Sequence, residues 1–177
     1  MDFSTQIRRT YWGAVPHTIF TALVWLTASL LSVYLSKSQA ITFFIIAGSF
    51  VFPGGELLRK FMKAPHLLSK ENKLPQFFML LAFTIPASYP LIYFACRGNI
   101  NLFFPAFTVL IGAHYLPFIY GYRMLSFGIL SLLLVCQGSF VGFFMPDQFP
   151  LSGLLTGVTL LLFAGIHYRM INKEINQ

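Results

Sequence analysis

Six apolar stretches follow one another along this chain, at about 13–35, 40–58, 75–95, 102–120, 124–144 and 151–171. Each is close to the roughly 20 residues a helix needs to cross the hydrocarbon core of a bilayer. That repetition constrains the fold more than any motif does. In lipid, every backbone N–H and C=O must be satisfied inside the protein, which leaves only helices and closed barrels. Barrel strands alternate apolar and polar residues with period two, and no such alternation runs through these stretches. The sequence therefore reads as an all-α, polytopic membrane protein, a bundle of six transmembrane helices in one membrane domain over 1–177. Composition agrees: 56% of residues are hydrophobic and 10% charged, against about 25% charged in soluble domains.

The charges lie between the apolar stretches. The turns "SKSQ", "CRGNIN" and "MPDQFP" are short enough for hairpins, while the longest connection is the basic loop 59–74. With the N-terminus inside, ten of the twelve Lys and Arg residues fall on the inner side and only Lys37 and Arg97 on the outer side. The positive-inside bias then predicts that both termini are cytoplasmic. The net charge of +7 does not point to nucleic acid, because the cations are spread between spans rather than gathered on one face. Arg59, Lys60, Lys63, Lys70 and Lys73, interleaved with Phe, Met and Leu, suit contact with anionic lipid headgroups; the simpler reading is a topology anchor. "SQA" at 38–40 faintly resembles a signal cleavage site, but the first stretch exceeds the roughly 7–15 residues of a signal core. Cys96 and Cys136 form no disulfide framework.

Two small-xxx-small motifs, Gly138–Gly142 in "GSFVG" and Gly153–Gly157 in "GLLTG", sit at the outer ends of the fifth and sixth spans. They predict a close backbone contact between those two helices; dimerisation to a homo-oligomer through either face is the alternative. Pro86 and Pro90 lie on one face of the third span and strand carbonyls one turn earlier.

Four ionisable residues fall within the spans, all in the half nearer the termini: His17, Glu56, His114 and His167. Ionisable groups at membrane depth are expensive and by default functional. Glu56 follows Pro53-Gly54-Gly55, a sequence expected to break the helix and expose backbone groups beside a carboxylate, where a cation or polar solute would bind. The plainer alternative pairs Glu56 with Arg59 or Lys60. His114 lies deepest, either as a packing histidine held by carbonyl and hydroxyl groups or as a proton relay facing Glu56. His17 shares a small, polar stripe with Thr21, Ala28 and Ser32, and His167 reads as an interface anchor beside Tyr168 and Arg169. No HExxH, HxxxH or CxxC spacing is present, so neither a metal site nor any other cofactor is expected. The absence of GxSxG, Cys–His and phosphate-loop signatures leans against an enzyme.

The run Gly112, Ala113, His114, Tyr115, Leu116, Pro117, Phe118 in the fourth span, with Phe52-Pro53 near the end of the second, resembles a family of small bacterial multi-pass membrane proteins known only as a domain of unknown function. The resemblance spans nearly the whole chain. It implies a bacterial cytoplasmic membrane and brings no activity with it. Three functions remain: a small transporter or channel for a solute or ion, proton-coupled through Glu56 and His114; a non-catalytic accessory protein; and, with least support, an intramembrane metal-dependent enzyme.

Overall fold

The structure, a computed structural model, describes residues 1–175. Those residues form nine α-helices and one short 3-10 turn at Ile100–Leu102, with no strand among them. The helices are α1 (Phe3–Thr10), α2 (Val15–Tyr34), α3 (Lys37–Ser49), α4 (Val51–Phe61), α5 (Leu74–Ala87), α6 (Tyr89–Cys96), α7 (Phe103–Tyr122), α8 (Ser126–Phe144) and α9 (Phe149–Ile175). Five segments are long and apolar enough to cross a membrane: Trp12–Tyr34, Leu74–Cys96, Ile100–Tyr122, Ser126–Phe144 and Phe149–Ile175. The bent pair α3–α4, taken as one span, makes a sixth.

The second span is where the fold departs most from expectation. Its break lies at Phe50, not at Pro53-Gly54-Gly55, and α3 and α4 meet there at 55°. The reason is local. A proline in a continuous helix clashes with the carbonyl four residues earlier, which for Pro53 is that of Ser49, the last residue of α3. Restarting the helix at Val51 puts Pro53 in the first turn, where no intrahelical N–H is needed. Gly54, Gly55 and Glu56 are then all helical. Their backbone groups are consumed by the helix, so the exposed peptide groups expected beside Glu56 do not exist.

Asp2 and Glu174, near the two ends of the described residues, lie at the same end of the bundle. Asp2 caps α1, accepting from the Thr5 N–H at 2.7 Å, and also accepts from Arg123 at 2.7 Å. The Thr5 hydrogen bonds hold its carboxyl below the usual range. Arg8 pairs with Glu174 at 2.8 Å and donates to the Tyr122 carbonyl at 3.1 Å. The other side of α1 holds the basic loop. Leu67 N–H donates to Thr10 Oγ1 at 3.1 Å, Ser69 N–H to Gln6 Oε1 at 3.0 Å, and Asn72 Nδ2 to the Phe3 carbonyl at 3.0 Å. Lys60, Lys63, Lys70 and Lys73 stay exposed. Arg59 does not: it is half-buried and turns inward to Glu56.

At the opposite end, aromatic rings fill the interior. Phe44 of α3 packs edge-on against Trp25 at 4.8 Å and Phe107 at 4.9 Å, and Phe104 lies 5.0 Å from Phe149. The third span is held more loosely. It is interrupted at Ser88, between Pro86 and Pro90, and Ile92 is its one buried residue.

The glycine motifs serve a different purpose from the one their spacing suggests. Those of α8 and α9 do not face each other. A Cβ on Gly138 would come within 2.8 Å of the Pro105 carbonyl oxygen, and one on Gly142 within 3.2 Å of Pro105 Cβ, so both face α7. A Cβ on Gly153 would strike Ser29 Oγ, and one on Gly157 would lie 2.6 Å from Leu26 Cγ, so both face α2. Each helix of this hairpin thus uses its glycines on a helix earlier in the chain. Gly153→Ala and Gly157→Ala are therefore expected to destabilise the protein by about 1–3 kcal/mol each, the range for overpacking a filled site. Gly165→Ala, with nothing within 4 Å of the added carbon, is expected to be neutral. Thermal unfolding in detergent checks both; equal effects at all three positions would contradict this packing.

Candidate functional site

The ionisable residues divide into three separate places. The first lies between α2 and α4. Pro53 starts α4 in the right place, and Gly54 and Gly55 let it approach α2 closely. A Cβ on Gly55 would come within 2.9 Å of His17 Cα, and one on Gly54 would run into the Phe20 ring. The next residue, Glu56, is thereby brought beside His17. Its Oε1 lies 3.5 Å from His17 Nε2, while its Oε2 accepts from Arg59 Nε at 2.9 Å. Glu56 and Arg59 are three residues apart on one helix face, which makes this pairing local.

Aromatic groups surround the trio. The His17 ring sits 5.9 Å from Tyr11, edge-on, and 5.7 Å from Phe52. The Arg59 guanidinium lies over Tyr11 at 5.6 Å. Burial pushes the Tyr11 phenol up from its ordinary pKa, and the Glu56 charge adds to the shift. The side chains are not wholly enclosed by protein: 19% of His17, 23% of Glu56 and 13% of Arg59 stays exposed. The two carboxylate oxygens differ sharply. Oε2 is held by a charge-assisted hydrogen bond, whereas Oε1 is buried without any hydrogen-bond partner. A buried carboxylate oxygen left bare is costly, and an imidazole nitrogen stands 3.5 Å from it, at the edge of hydrogen-bond range. A shift of well under 1 Å would let the two share a proton.

His114 does not join this group. It faces the third span, with Nδ1 3.4 Å from Thr84 Oγ1 of α5 and its ring 5.4 Å from Phe118. The second location is therefore a hydroxyl-paired histidine between α5 and α7. Glu56 has its contacts on α2 and α4, so His17 faces it and His114 does not.

His167 forms the third location and corrects its expected role as an interface anchor. It is fully buried, with Nε2 2.8 Å from Ser126 Oγ and its ring 4.4 Å from that of Phe127. The signal was available in the spacing: Leu160, Ala164, His167 and Ile171 recur at helical intervals and are all buried. A second group escaped the sequence altogether. Thr108 Oγ1 meets Ser152 Oγ at 3.0 Å and Thr156 Oγ1 at 2.8 Å; Gln137 Nε2 donates to Thr156 Oγ1 at 3.1 Å. These side chains come from three helices, and nothing in local spacing links them. Among the described residues, no group of three or more His, Cys, Asp or Glu side chains is arranged to hold a metal ion.

If Gly55 exists to seat His17, Gly55→Ala should push α4 off α2. The expected result is lower thermal stability together with faster modification of His17 by a histidine-directed acylating reagent, located by peptide mass spectrometry. Unchanged His17 reactivity would show that the close approach is incidental.

A family model described as a family of unknown function, DUF7010, matches residues 2–170. No curated protein and no solved structure matches the chain. A match over nearly the whole length, on a helical fold with several membrane-compatible helices, places membership beyond the short Gly-Ala-His and Phe-Pro runs: the chain belongs to the DUF7010 family.

Proposed function

We propose that this protein is a small proton-coupled transporter or channel of the bacterial cytoplasmic membrane, with both termini in the cytoplasm, and that the His17–Glu56 pair takes up and releases the proton. One observation carries the reading: a buried, unpartnered Glu56 Oε1 stands 3.5 Å from an imidazole nitrogen, at the end of the bundle where the basic residues gather. An intramembrane carboxylate facing a histidine is a common form of proton relay. Arg59 has a defined part in it. By holding Oε2, it keeps the carboxylate oriented and leaves Oε1 as the site of protonation. The solute is an ion or small polar molecule whose passage is linked to that proton. Exposed Lys60, Lys63, Lys70 and Lys73 would rest on the anionic headgroups of the inner leaflet.

The accessory-protein reading also has an observation in its favour, since Glu56 already has a cationic partner in Arg59 and an ion pair can be purely structural. Flux separates the two. The purified protein is reconstituted into liposomes that enclose a pH-sensitive dye, and a potential is imposed across the membrane. Wild type should acidify or alkalinise the lumen faster than empty liposomes. Glu56→Gln, which keeps shape but not charge, should lower the rate at least about ten-fold, in the range of lost acid–base groups; His17→Gln should also lower it. Equal rates for Glu56→Gln and wild type, or no flux in wild type, would discard proton coupling and leave the accessory role.

A further inference from the structure

A second site lies at the other end of the molecule. α3 packs on α2 and α4, and α6 packs on α7, which leaves a cleft of about 540 Å³ between α3 and α6. This falls within the roughly 300–1,000 Å³ typical of small-molecule sites. Ile41 and Ile45 form one wall, Ile92 the other, and Phe103 and Phe107 the floor. Tyr89 and Tyr93 of α6 also line the cleft, and its charged end is the one at Arg97. Ser38, Thr42 and Arg97 stand at the rim, near the start of α3 and just past the end of α6. From Ser38 to Ile45 the cleft runs seven residues along a helix, roughly 10 Å.

The rim charge is available. Of the two cations at this end, Lys37 is engaged by Asn101 Oδ1 at 2.7 Å and by the Phe149 ring. Arg97 is exposed and belongs to none of the ion pairs among the described residues. A free guanidinium above an apolar slot complements an amphiphile with an anionic oxygen head, and Arg suits phosphate in particular. Ser38 and Thr42 offer hydroxyl donors beside it.

We propose that this cleft binds an anionic phospholipid of the surrounding bilayer, with an acyl chain between α3 and α6 and its phosphate on Arg97. The site shares no residue with the His17–Glu56 pair, and its test reads lipid binding and not flux.

The test uses the full chain in phosphatidylcholine vesicles containing spin-labelled phosphatidylglycerol or spin-labelled phosphatidylcholine, with the immobilised fraction read by electron paramagnetic resonance. Arg97→Gln should lower the relative affinity for phosphatidylglycerol roughly five-fold, the worth of one basic residue at an anionic surface; Arg97→Lys should retain most of it. Thr42→Trp, which fills the rim, should remove the Arg97-dependent component. Added inorganic phosphate should compete poorly, since it has no chain for the slot. Arg97 is exposed, so Arg97→Gln should leave the helical content and elution volume unchanged. Unaltered lipid preference in Arg97→Gln would overturn the proposal, as would an Arg97-dependent preference that survives Thr42→Trp or is abolished by free phosphate.

Discussion

Two apolar helices surrounded by lipid gain little hydrophobic free energy by leaving it for one another, so close backbone approach has to hold this bundle together. Glycine supplies that approach in three places. Gly138 brings α8 onto the backbone of α7, Gly153 and Gly157 bring α9 onto α2, and Gly55 brings α4 onto another part of α2. α2 therefore seats both α9 and α4, and it carries His17. The candidate site inherits its geometry from the same contacts that stabilise the fold. No separate loop or insertion is needed to form it.

Hydropathy made the class of fold legible, because long apolar stretches permit few structures in a bilayer. The order of helices around the bundle was not legible, for a related reason: apolar faces of similar composition do not name their neighbours. The glycines illustrate this. Their spacing announces a groove, but the identity of the helix that fills it depends on Pro105, Ser29 and Leu26, all distant in sequence. Pro53 shows a second limit. A helix break was readable from its presence, yet the break lies at Phe50, because the clash of a proline is with the preceding turn and not with its own position. His167 was misjudged from depth alone, although the periodicity of its neighbours pointed inward. The pairing of His17 with Glu56 was partly readable, since both lie near one end of adjacent spans; that His114 faces Thr84 instead was not.

The bend at Phe50 connects these results. Its two arms are held by different forces. α4 is fixed against α2 by glycine-mediated contact and by the His17–Glu56–Arg59 group, while α3 is held through Phe44 among the rings of Trp25, Phe103, Phe104 and Phe107. One arm bears the carboxylate and the other forms a wall of the cleft. A rotation at Phe50 thus moves the arm that forms the cleft wall relative to the arm that bears the carboxylate. If protonation of the pair favours one bend angle, the same preference must appear in the affinity of the cleft, and an occupant of the cleft must in turn bias the pair, because a coupling free energy between two sites is reciprocal. The bent α3–α4 span would then be the element through which the two ends of the molecule act on each other.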